Sequence, residues 1–423
     1  MKEFFRKTML VLGDNILRRR IAFTLLGLVV FRVLSSIPIP SVDTLRLQSF
    51  FSNNEFLGLL NLFSGGGLSN LSLVMLGVGP YINASIIMQL LTIMFPRLKA
   101  LYQEEGEAGR KKFSQYSRLL TVPLALLQSF GFLNLLERNG VVSHLTSFDF
   151  VTNMIVIGAG SLLLMWIGEL ITEFGIGNGV SLIIFAGIVA SIPSLFGQLI
   201  FTFEPSQIPL YFVLFVVAVF VIAGVVVITE AERPVPITYA KRVRGNKVYG
   251  GLSTYLPLRL NQAGVIPIIF ALSILLFPQL IAQFLSQVDN ETVRSIASSV
   301  VAFLQNTWLY AGLYFILVFA FTYFYTALTF DPFSIATNLQ KNGAFIPGVR
   351  PGTSTAEHLS RILVRLTLFG ALFLGFIAVL PSIIQATTGI ASLTIGGTAL
   401  LIAVSVVIDL IKKIDSQISM REY

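Results

Sequence analysis

The stretch VTNMIVIGAGSLLLMWIGELIT (151–172) contains a single charged residue, Glu169, in a run that is otherwise uncharged. A run of this length suffices for one α-helix to cross a bilayer, which needs roughly 20 mostly apolar residues. Nine further stretches have the same character, so we predict an all-α polytopic membrane protein with ten transmembrane helices. The predicted spans are 21–40, 73–95, 119–136, 151–172, 180–200, 209–229, 264–284, 309–330, 366–385 and 393–411.

The distribution of Lys and Arg predicts the orientation of these spans. With the N-terminus in the cytoplasm, 25 of the 29 cations fall in cytoplasmic segments. Arg46, Arg138 and Arg294 fall in outer loops, and Arg32 alone falls within a span. Because this asymmetry follows the positive-inside rule, both termini are expected on the cytoplasmic side.

The composition supports a membrane environment and argues against an enzyme. Of the 423 residues, 55% are hydrophobic and 12% charged, whereas soluble proteins carry roughly a quarter charged residues. The chain has no cysteine, and its two histidines, His144 and His358, fall in loops on opposite sides. Thiol chemistry, iron–sulfur clusters and a shared histidine metal site are therefore excluded. The phosphate-binding loop motif is also absent, so we expect no catalysis, no cofactor and no metal.

Ten spans divide into an N-terminal half, 1–203, and a C-terminal half, 204–423, with five spans each. Because five is odd, the second half enters the membrane from the opposite side, and related halves would form an inverted repeat. A secondary transporter built from inverted repeats is therefore one candidate function. Such a transporter needs a polar substrate site at the midplane, and the predicted spans offer almost no groups to build one.

The segment GLLNLFSGGGLSNLS (58–72) is too short and too rich in glycine to cross the bilayer. It is either an outer loop with a short interfacial helix or a re-entrant segment that closes a pore, since irregular backbone at membrane depth must be buried in protein or line a cavity. The stretch 1–20 has the apolar spacing of an amphipathic helix on the membrane surface, although a partly ordered tail fits equally well.

Two long cytoplasmic loops, 230–263 and 331–365, are rich in turn residues and cations. In the first, ITYAKRV and KVYGGLSTY flank a Gly-Asn turn, which predicts a β-hairpin that projects from the membrane. In the second, NGAFIPGVRPG contains Arg350. The cations could merely anchor the topology, but their clustering at a hairpin tip favours docking to an anionic partner such as RNA or an acidic protein face.

Six separated segments resemble the SecY family, whose members form the central subunit of the bacterial protein-conducting channel. They are LGVGPYINASIIMQLLT (76–92), FSQYSRLLTV (113–122), ITEFGIGNGVSLIIFAGIVASIP (171–193), YAKRVRGNKVYGGLSTYLPLRLNQAGVIPIIFA (239–271), FIPGVRPG (345–352) and GGTALLIAVSVVIDLIKKIDSQISMREY (396–423). The resemblance covers essentially the whole chain. It implies a channel in the bacterial plasma membrane that translocates unfolded secretory polypeptides and releases hydrophobic segments sideways into lipid.

The resemblance also implies an architecture and a set of partners. Two inverted halves would be hinged between spans five and six, with a lateral gate between spans two and seven. A small SecE subunit and often a SecG subunit would bind the bundle, and the SecA motor or the ribosome would dock on the cytoplasmic loops. Signal peptides, nascent polypeptides and membrane lipids would be the remaining partners.

Functional residues follow from the same resemblance. The pore constriction falls on branched aliphatic residues, namely Val78, Ile82, Val180, Ile184, Ile269 and Ile402. The plug includes Leu60, Phe63, Gly65, Gly66, Gly67 and Leu68. The lateral gate includes Ser85, Gln89, Gln128 and Phe277. Docking of motor or ribosome falls on Lys241, Arg242, Arg244, Lys247 and Arg350.

The predicted constriction sets one condition on the fold. Branched aliphatic side chains suit a constriction that gates by excluding water. Val180 lies at the edge of its predicted span and Ile402 near the middle of its own, so both can join one ring only if the turn 173–179 dips into a cytoplasmic vestibule. An insertase that acts only at the lipid seam is a further alternative, which a true pore would exclude.

Overall fold

Most of the chain forms α-helices in the computed structural model, and every predicted span falls on one of them. The described residues are 13–39, 61, 64–68, 70–138, 140–142, 146–201, 208–240, 242–244, 247–249, 253–285, 290–388 and 392–419. The helices are α1 Asn15–Ser35, α2 Gly79–Met94, α3 Pro96–Gln103, α4 Gly106–Arg138, α5 Ser147–Phe174, α6 Gly179–Phe201, α7 Ile208–Glu230, α8 Ile266–Leu285, α9 Glu291–Gln305, α10 Thr307–Thr329, α11 Pro332–Lys341, α12 Thr353–Thr388 and α13 Ser392–Ser419.

Within the described part of the chain, five helices are each long and apolar enough to cross a membrane. They are Gly106–Glu137, Ser147–Phe174, Tyr211–Glu230, Thr307–Lys341 and Thr353–Ile384. Helices α2 and α3 make a sixth candidate as a pair bent by 114°. Helices α6 and α8 contain shorter apolar stretches, and each has an internal proline, Pro193 or Pro278, a residue that bends helices by removing a backbone hydrogen bond.

The first helix differs from its predicted bounds at both ends. The side chain of Asp14 accepts a hydrogen bond from the backbone N–H of Ile16 at 2.9 Å, and this N-cap starts α1 before the predicted span. The helix ends at Ser35, so Arg32 lies in its last turn rather than deep within a span. Most of the predicted surface helix at 1–20 lies outside the described residues.

The predicted β-hairpin is confirmed, and it is larger than the sequence pattern indicated. Strand β1 pairs antiparallel with β4, and β2 with β3 across the predicted turn at 245–246. A further strand, β5, pairs with the other edge of β1, which brings the loop 331–365 onto the hairpin. The strands are β1 Glu232–Tyr239, β2 Arg242–Arg244, β3 Lys247–Tyr249, β4 Ser253–Arg259 and β5 Ala344–Phe345.

The three-stranded sheet has a small core of its own. Val235 and Ile237 alternate with exposed residues along β1 and pack with Leu258 of β4. Leu359 and Ile362 of α12 complete this cluster. We call the sheet, α11 and the first turns of α12 the sheet unit, and its shared core fixes the hairpin to the end of a membrane helix.

The main hydrophobic core contains residues from both halves and surrounds the glycine-rich turn at 64–68. Leu68 and Ser64 are almost fully buried there. Gly65 adopts a left-handed conformation (φ 66°) and lies against the ring of Phe31, while the backbone of Gly65 touches α6 at Gly187. Burial of this turn favours the re-entrant interpretation of 58–72 over an interfacial outer loop.

The contact between α6 and the 64–68 turn predicts a position-specific effect of adding one methyl group. Gly187→Ala places a Cβ against the Gly65 backbone, so we expect thermal unfolding in detergent to reveal a destabilisation of about 1–3 kcal/mol. Gly197→Ala, on the same helix with open space around it, should be neutral or stabilising by up to about 1 kcal/mol. Equal effects of the two substitutions would contradict the close contact.

Candidate functional site

The six residues of the predicted constriction come from four helices and lie in one hydrophobic cluster. Helix α2 and its N-cap, α6, α8 and α13 supply them, so both halves contribute. Five are buried and Val180 is half-buried; the six are Val78, Ile82, Val180, Ile184, Ile269 and Ile402. The structure therefore places side chains from four separate stretches of the sequence in one large hydrophobic core.

The turn between α5 and α6 packs against the first and last helices of the chain, α1 and α13. Ile176 is buried with Leu17 of α1 and Ile418 of α13. The hydroxyl oxygen of Thr24 accepts a hydrogen bond from the backbone N–H of Ile176 at 3.1 Å. Gly177 has φ 90°, a left-handed conformation that glycine adopts without strain. The GIGNG motif is thus a tight turn that starts α6, with Gly175, Ile176 and Gly179 buried and Asn178 exposed.

This turn sets the relative height of two predicted constriction residues. Gly177 lies beside Leu410 of α13, and α6 leads away from this point while α13 runs towards it. At 1.5 Å per residue, Ile184 lies roughly 10 Å from the turn along α6, and Ile402 roughly 12 Å back along α13. The two side chains are therefore at similar distances from the GIGNG turn along the helix axes, and Val180 lies one turn closer to this motif.

The described part of the predicted plug is held by backbone hydrogen bonds. The backbone N–H of Ser72 donates to the carbonyl of Gly67 at 2.9 Å, and that of Ile39 donates to the carbonyl of Leu71 at 2.9 Å. The Ser161 hydroxyl of α5 donates to the carbonyl of Gly77 at 2.8 Å. Gly65, Gly66, Gly67 and Leu68 belong to this turn, whereas Leu60 and Phe63 lie outside the described residues.

The predicted lateral gate lies where α2 packs against α8. Ser85 and Gln128 are half-buried, on α2 and α4, and Phe277 lies on α8. The side-chain oxygen of Gln89 is buried and has no hydrogen-bond partner in the described structure. A buried acceptor without a partner costs about 1–3 kcal/mol, so the Gln89 oxygen destabilises the packing around α2.

A polar cluster beside this gate was not found from the sequence. The hydroxyl of Tyr81 on α2 lies close to Ser85 and to Ser114 of α4, and it lies near a charged pair. In that pair, Arg118 Nε of α4 is 2.6 Å from Glu169 Oε1 of α5. The Glu169 carboxylate is mostly covered and paired, and its partner could not be recognised from the sequence because it is 51 residues away.

Another ion pair in the described region joins two helices. The Lys412 ammonium of α13 lies 2.9 Å from a carboxylate oxygen of Glu230 and donates to the Thr229 carbonyl at 3.3 Å. These contacts fix α13 to the C-terminal end of α7, where a cation is favourable. Among the residues that the structure describes, no three His, Asp or Glu side chains cluster closely enough to hold a metal ion.

The predicted docking residues lie on the sheet unit or beside it. Arg350 is exposed in the turn that follows β5, and its carbonyl accepts a hydrogen bond from the Thr355 hydroxyl at 2.8 Å. Arg242 and Arg244 lie on β2 and Lys247 lies on β3, whereas Lys241 is outside the described residues. Because β5 pairs with β1, the two basic loops form one structural unit.

Comparison with known proteins agrees with the sequence resemblance. The sequence model of the SecY family matches residues 72–411. The protein translocase subunit SecY of Mycobacterium bovis is 41% identical, and the alignment covers 96% of this chain and 96% of that relative. The protein translocase subunit SecY of Synechocystis is 42% identical, and the alignment covers 96% of this chain and 93% of that relative.

Solved structures share the fold. A protein-conducting channel superposes with a TM-score of 0.67 at 20% identity, and Sec61 from a canine ribosome–channel complex with a TM-score of 0.63 at 18% identity. Each alignment covers 95% of this chain and 92% of the other. The SecY family model matches most of the length of the chain, and the relatives align with nearly all of it. The chain therefore belongs to the SecY family.

Proposed function

We propose that this chain is a gated channel that translocates unfolded secretory polypeptides across a membrane and releases hydrophobic segments sideways into lipid. The observation that carries the proposal is that six branched aliphatic residues from four helices lie in one hydrophobic core, which also contains Leu68 of the buried glycine-rich turn. Relatives named protein translocase subunit SecY support the same activity.

The aliphatic side chains act as the constriction. They offer no hydrogen-bonding groups, so water and ions gain nothing by entering, and a hydrophobic constriction gates by dewetting. The same lack of polar groups leaves a passing polypeptide without a fixed binding site. The turn at 64–68 serves as the plug, and its few backbone contacts to Gly187 and Phe31 can be exchanged without breaking a helix. A solved SecY structure in which the plug domain stabilises the closed state has the same fold.

The α2–α8 contact serves as the lateral gate. Its opening lets water or the incoming chain satisfy the Gln89 oxygen, which has no partner in the described structure, and this gain offsets part of the cost of separating the helices. A hydrophobic signal segment supplies the rest, because each buried CH₂ group contributes about 0.8 kcal/mol when it moves from water into lipid.

Direction and energy come from partners. We place both termini and the sheet unit in the cytoplasm of a bacterium, with the chain in the plasma membrane, because 25 of 29 cations then face inwards. The sheet unit then presents Arg350 to the SecA motor or the ribosome, and SecE, with SecG where present, packs against the bundle. A ribosome-bound Sec61 channel shares the fold and supports the ribosome as one of these partners.

The transporter and insertase alternatives have less support. A transporter needs polar groups at its substrate site, whereas the core shared by the two halves consists of hydrophobic residues. An insertase working only at the lipid seam has no need of a glycine-rich segment buried inside the bundle.

The constriction can be tested by ion leak through reconstituted vesicles. The double substitution Ile82→Asn and Ile402→Asn introduces hydrogen-bonding groups, and each loss of about 1.4 kcal/mol from the barrier raises a rate tenfold. We therefore expect leak to rise at least about tenfold and signal-defective substrates to be exported. Ile93→Asn, on the exposed surface of α2, is the control. Unchanged leak in the double variant would count against the assignment.

The docking surface can be tested by charge reversal. Arg350→Glu should reduce ATP-driven export into vesicles by at least about tenfold, because a reversed charge at a protein interface costs several kcal/mol. The amount of assembled complex should stay unchanged, since Arg350 is exposed. Lys341→Glu, an exposed cation at the end of α11, is the matched control. Normal export by the Arg350 variant would refute the role.

A further inference from the structure

The plug turn, residues 64–68, is followed by a residue in an unfavourable backbone conformation. Leu71 has a φ of 41°, and it is the only residue other than glycine with a positive φ in the part of the chain that the structure describes. In this left-handed region the Cβ approaches the following carbonyl oxygen, so a leucine is strained there. The Leu71 side chain is fully buried. Strained residues of this kind persist only where their surroundings hold them, and they cluster at segments that switch.

Two hydrogen bonds to the plug turn hold Leu71 in this conformation. The backbone N–H of Leu71 donates to the Leu68 carbonyl at 3.0 Å, and that of Ser72 donates to the Gly67 carbonyl at 2.9 Å. The bonds span short stretches of chain, so the dihedral angles of Leu71 are fixed while the turn stays in place. Both bonds are lost when the turn moves away from Ser72, and the Leu71 backbone is then free to relax.

The chain on the other side of Leu71 is tied to the segment that leaves α1. The Leu71 carbonyl accepts a hydrogen bond from the backbone N–H of Ile39 at 2.9 Å, and the backbone N–H of Leu73 donates to the Ile37 carbonyl at 3.0 Å. These bonds form a short antiparallel bridge between the segment that leaves α1 and the segment that leads into α2. Residues 71–73 can therefore stay in place while the turn moves, which puts the pivot of the plug at Leu71.

The Ser72 side chain adds a second cost to the seated position of the turn. Its hydroxyl oxygen is buried and has no hydrogen-bond partner among the described residues. A Cβ on Gly67 would lie only 2.8 Å from this oxygen, so the plug turn is what covers it. An unpartnered buried polar group is destabilising because it has lost its bonds to water. Movement of the turn would expose the hydroxyl and restore those bonds.

We propose that Leu71 and Ser72 are positioning residues of the plug, and that the strained backbone of the one and the unpartnered hydroxyl of the other favour its release. This inference rests on the proposed function, in which the turn at 64–68 closes the pore. Both costs exist only while the turn is seated, so they offset part of the free energy that its burial supplies. The plug is thereby held closely enough to seal the pore and loosely enough for an incoming polypeptide to displace it.

Two buried serines in this region give opposite predictions. The Ser64 hydroxyl donates to the Asn61 carbonyl at 3.0 Å and accepts a hydrogen bond from the backbone N–H of Leu68 at 2.9 Å. Ser64→Ala therefore leaves that N–H unpaired in the seated turn, whereas Ser72→Ala removes an oxygen that has no described partner. We expect Ser72→Ala to lower the released fraction of the plug about fivefold and Ser64→Ala to raise it by about the same factor. If both serines served only packing, both substitutions would raise it.

Glycine and alanine at position 71 separate backbone strain from side-chain packing. Leu71→Gly and Leu71→Ala both remove the buried side chain, but only glycine adopts the observed φ without strain. We therefore expect the released fraction to be about fivefold lower in Leu71→Gly than in Leu71→Ala. An unstrained backbone would give the reverse order, because glycine gains more conformational freedom on release.

Maleimide labelling measures the released fraction without a substrate or a partner motor. The chain has no cysteine, so Leu68→Cys, placed in every variant, introduces its sole thiol at a position that is 1% exposed when the turn is seated. With the assembled complex in lipid nanodiscs, the rate of labelling by a water-soluble maleimide follows the fraction of plug that has left its seat.

Slower labelling of Ser72→Ala than of the parent, with faster labelling of Ser64→Ala, supports the proposal. Labelling of Ser72→Ala that is unchanged or faster overturns it, and so does the reverse order at position 71 or the absence of labelling in every variant. Export of a secretory protein into vesicles by the cysteine-free complex tests the proposed function separately, since normal export leaves that function standing when the labelling contradicts the pivot.

Discussion

The structure depends on one hydrophobic core to which α2, α6, α8 and α13 all contribute branched aliphatic side chains. Ile82, Ile184, Ile269 and Ile402 are buried together although they are distributed over most of the chain. Contacts of this kind are non-directional, so they can separate and re-form around a substrate of any sequence. A channel for proteins needs this property, because a polar constriction would bind some sequences and admit ions.

The two sides of the bundle are held by different forces. On one side, α13 packs with α1 through Leu17 and Ile418 and is joined to α7 by the Lys412–Glu230 ion pair. On the other, α2 packs against α8, and the buried Gln89 oxygen of α2 has no hydrogen-bond partner among the described residues. In the proposed mechanism the hinge lies between spans five and six, and the α2–α8 contact opens.

The sequence predicted what depends on local patterns. Each of the ten spans predicted from hydropathy falls on a helix, and period-two alternation around 245–246 located the hairpin. It missed α9, whose apolar face alone is too narrow for a span, and β5, which has only two residues and exists through pairing with β1. The Tyr81–Ser114 and Arg118–Glu169 contacts were also missed, because they join distant helices and no spacing rule indicates such pairs.

The site was predicted less directly than the fold. Nothing in the composition distinguishes Ile82 or Ile402 from lipid-facing isoleucines, and the resemblance to the SecY family selected them. The structure supplies the physical support, since it buries these residues together and places Ile184 and Ile402 at similar heights.

The central claim is that a polypeptide passes through this aliphatic cluster. The most direct measurement is site-specific crosslinking of a stalled secretory chain to a photoreactive residue at position 82, with position 93 on the exposed surface of α2 as the control. Our account predicts strong crosslinks from position 82 along successive residues of the stalled chain and few from position 93. Crosslinks from 93 alone, with none from 82, would contradict it.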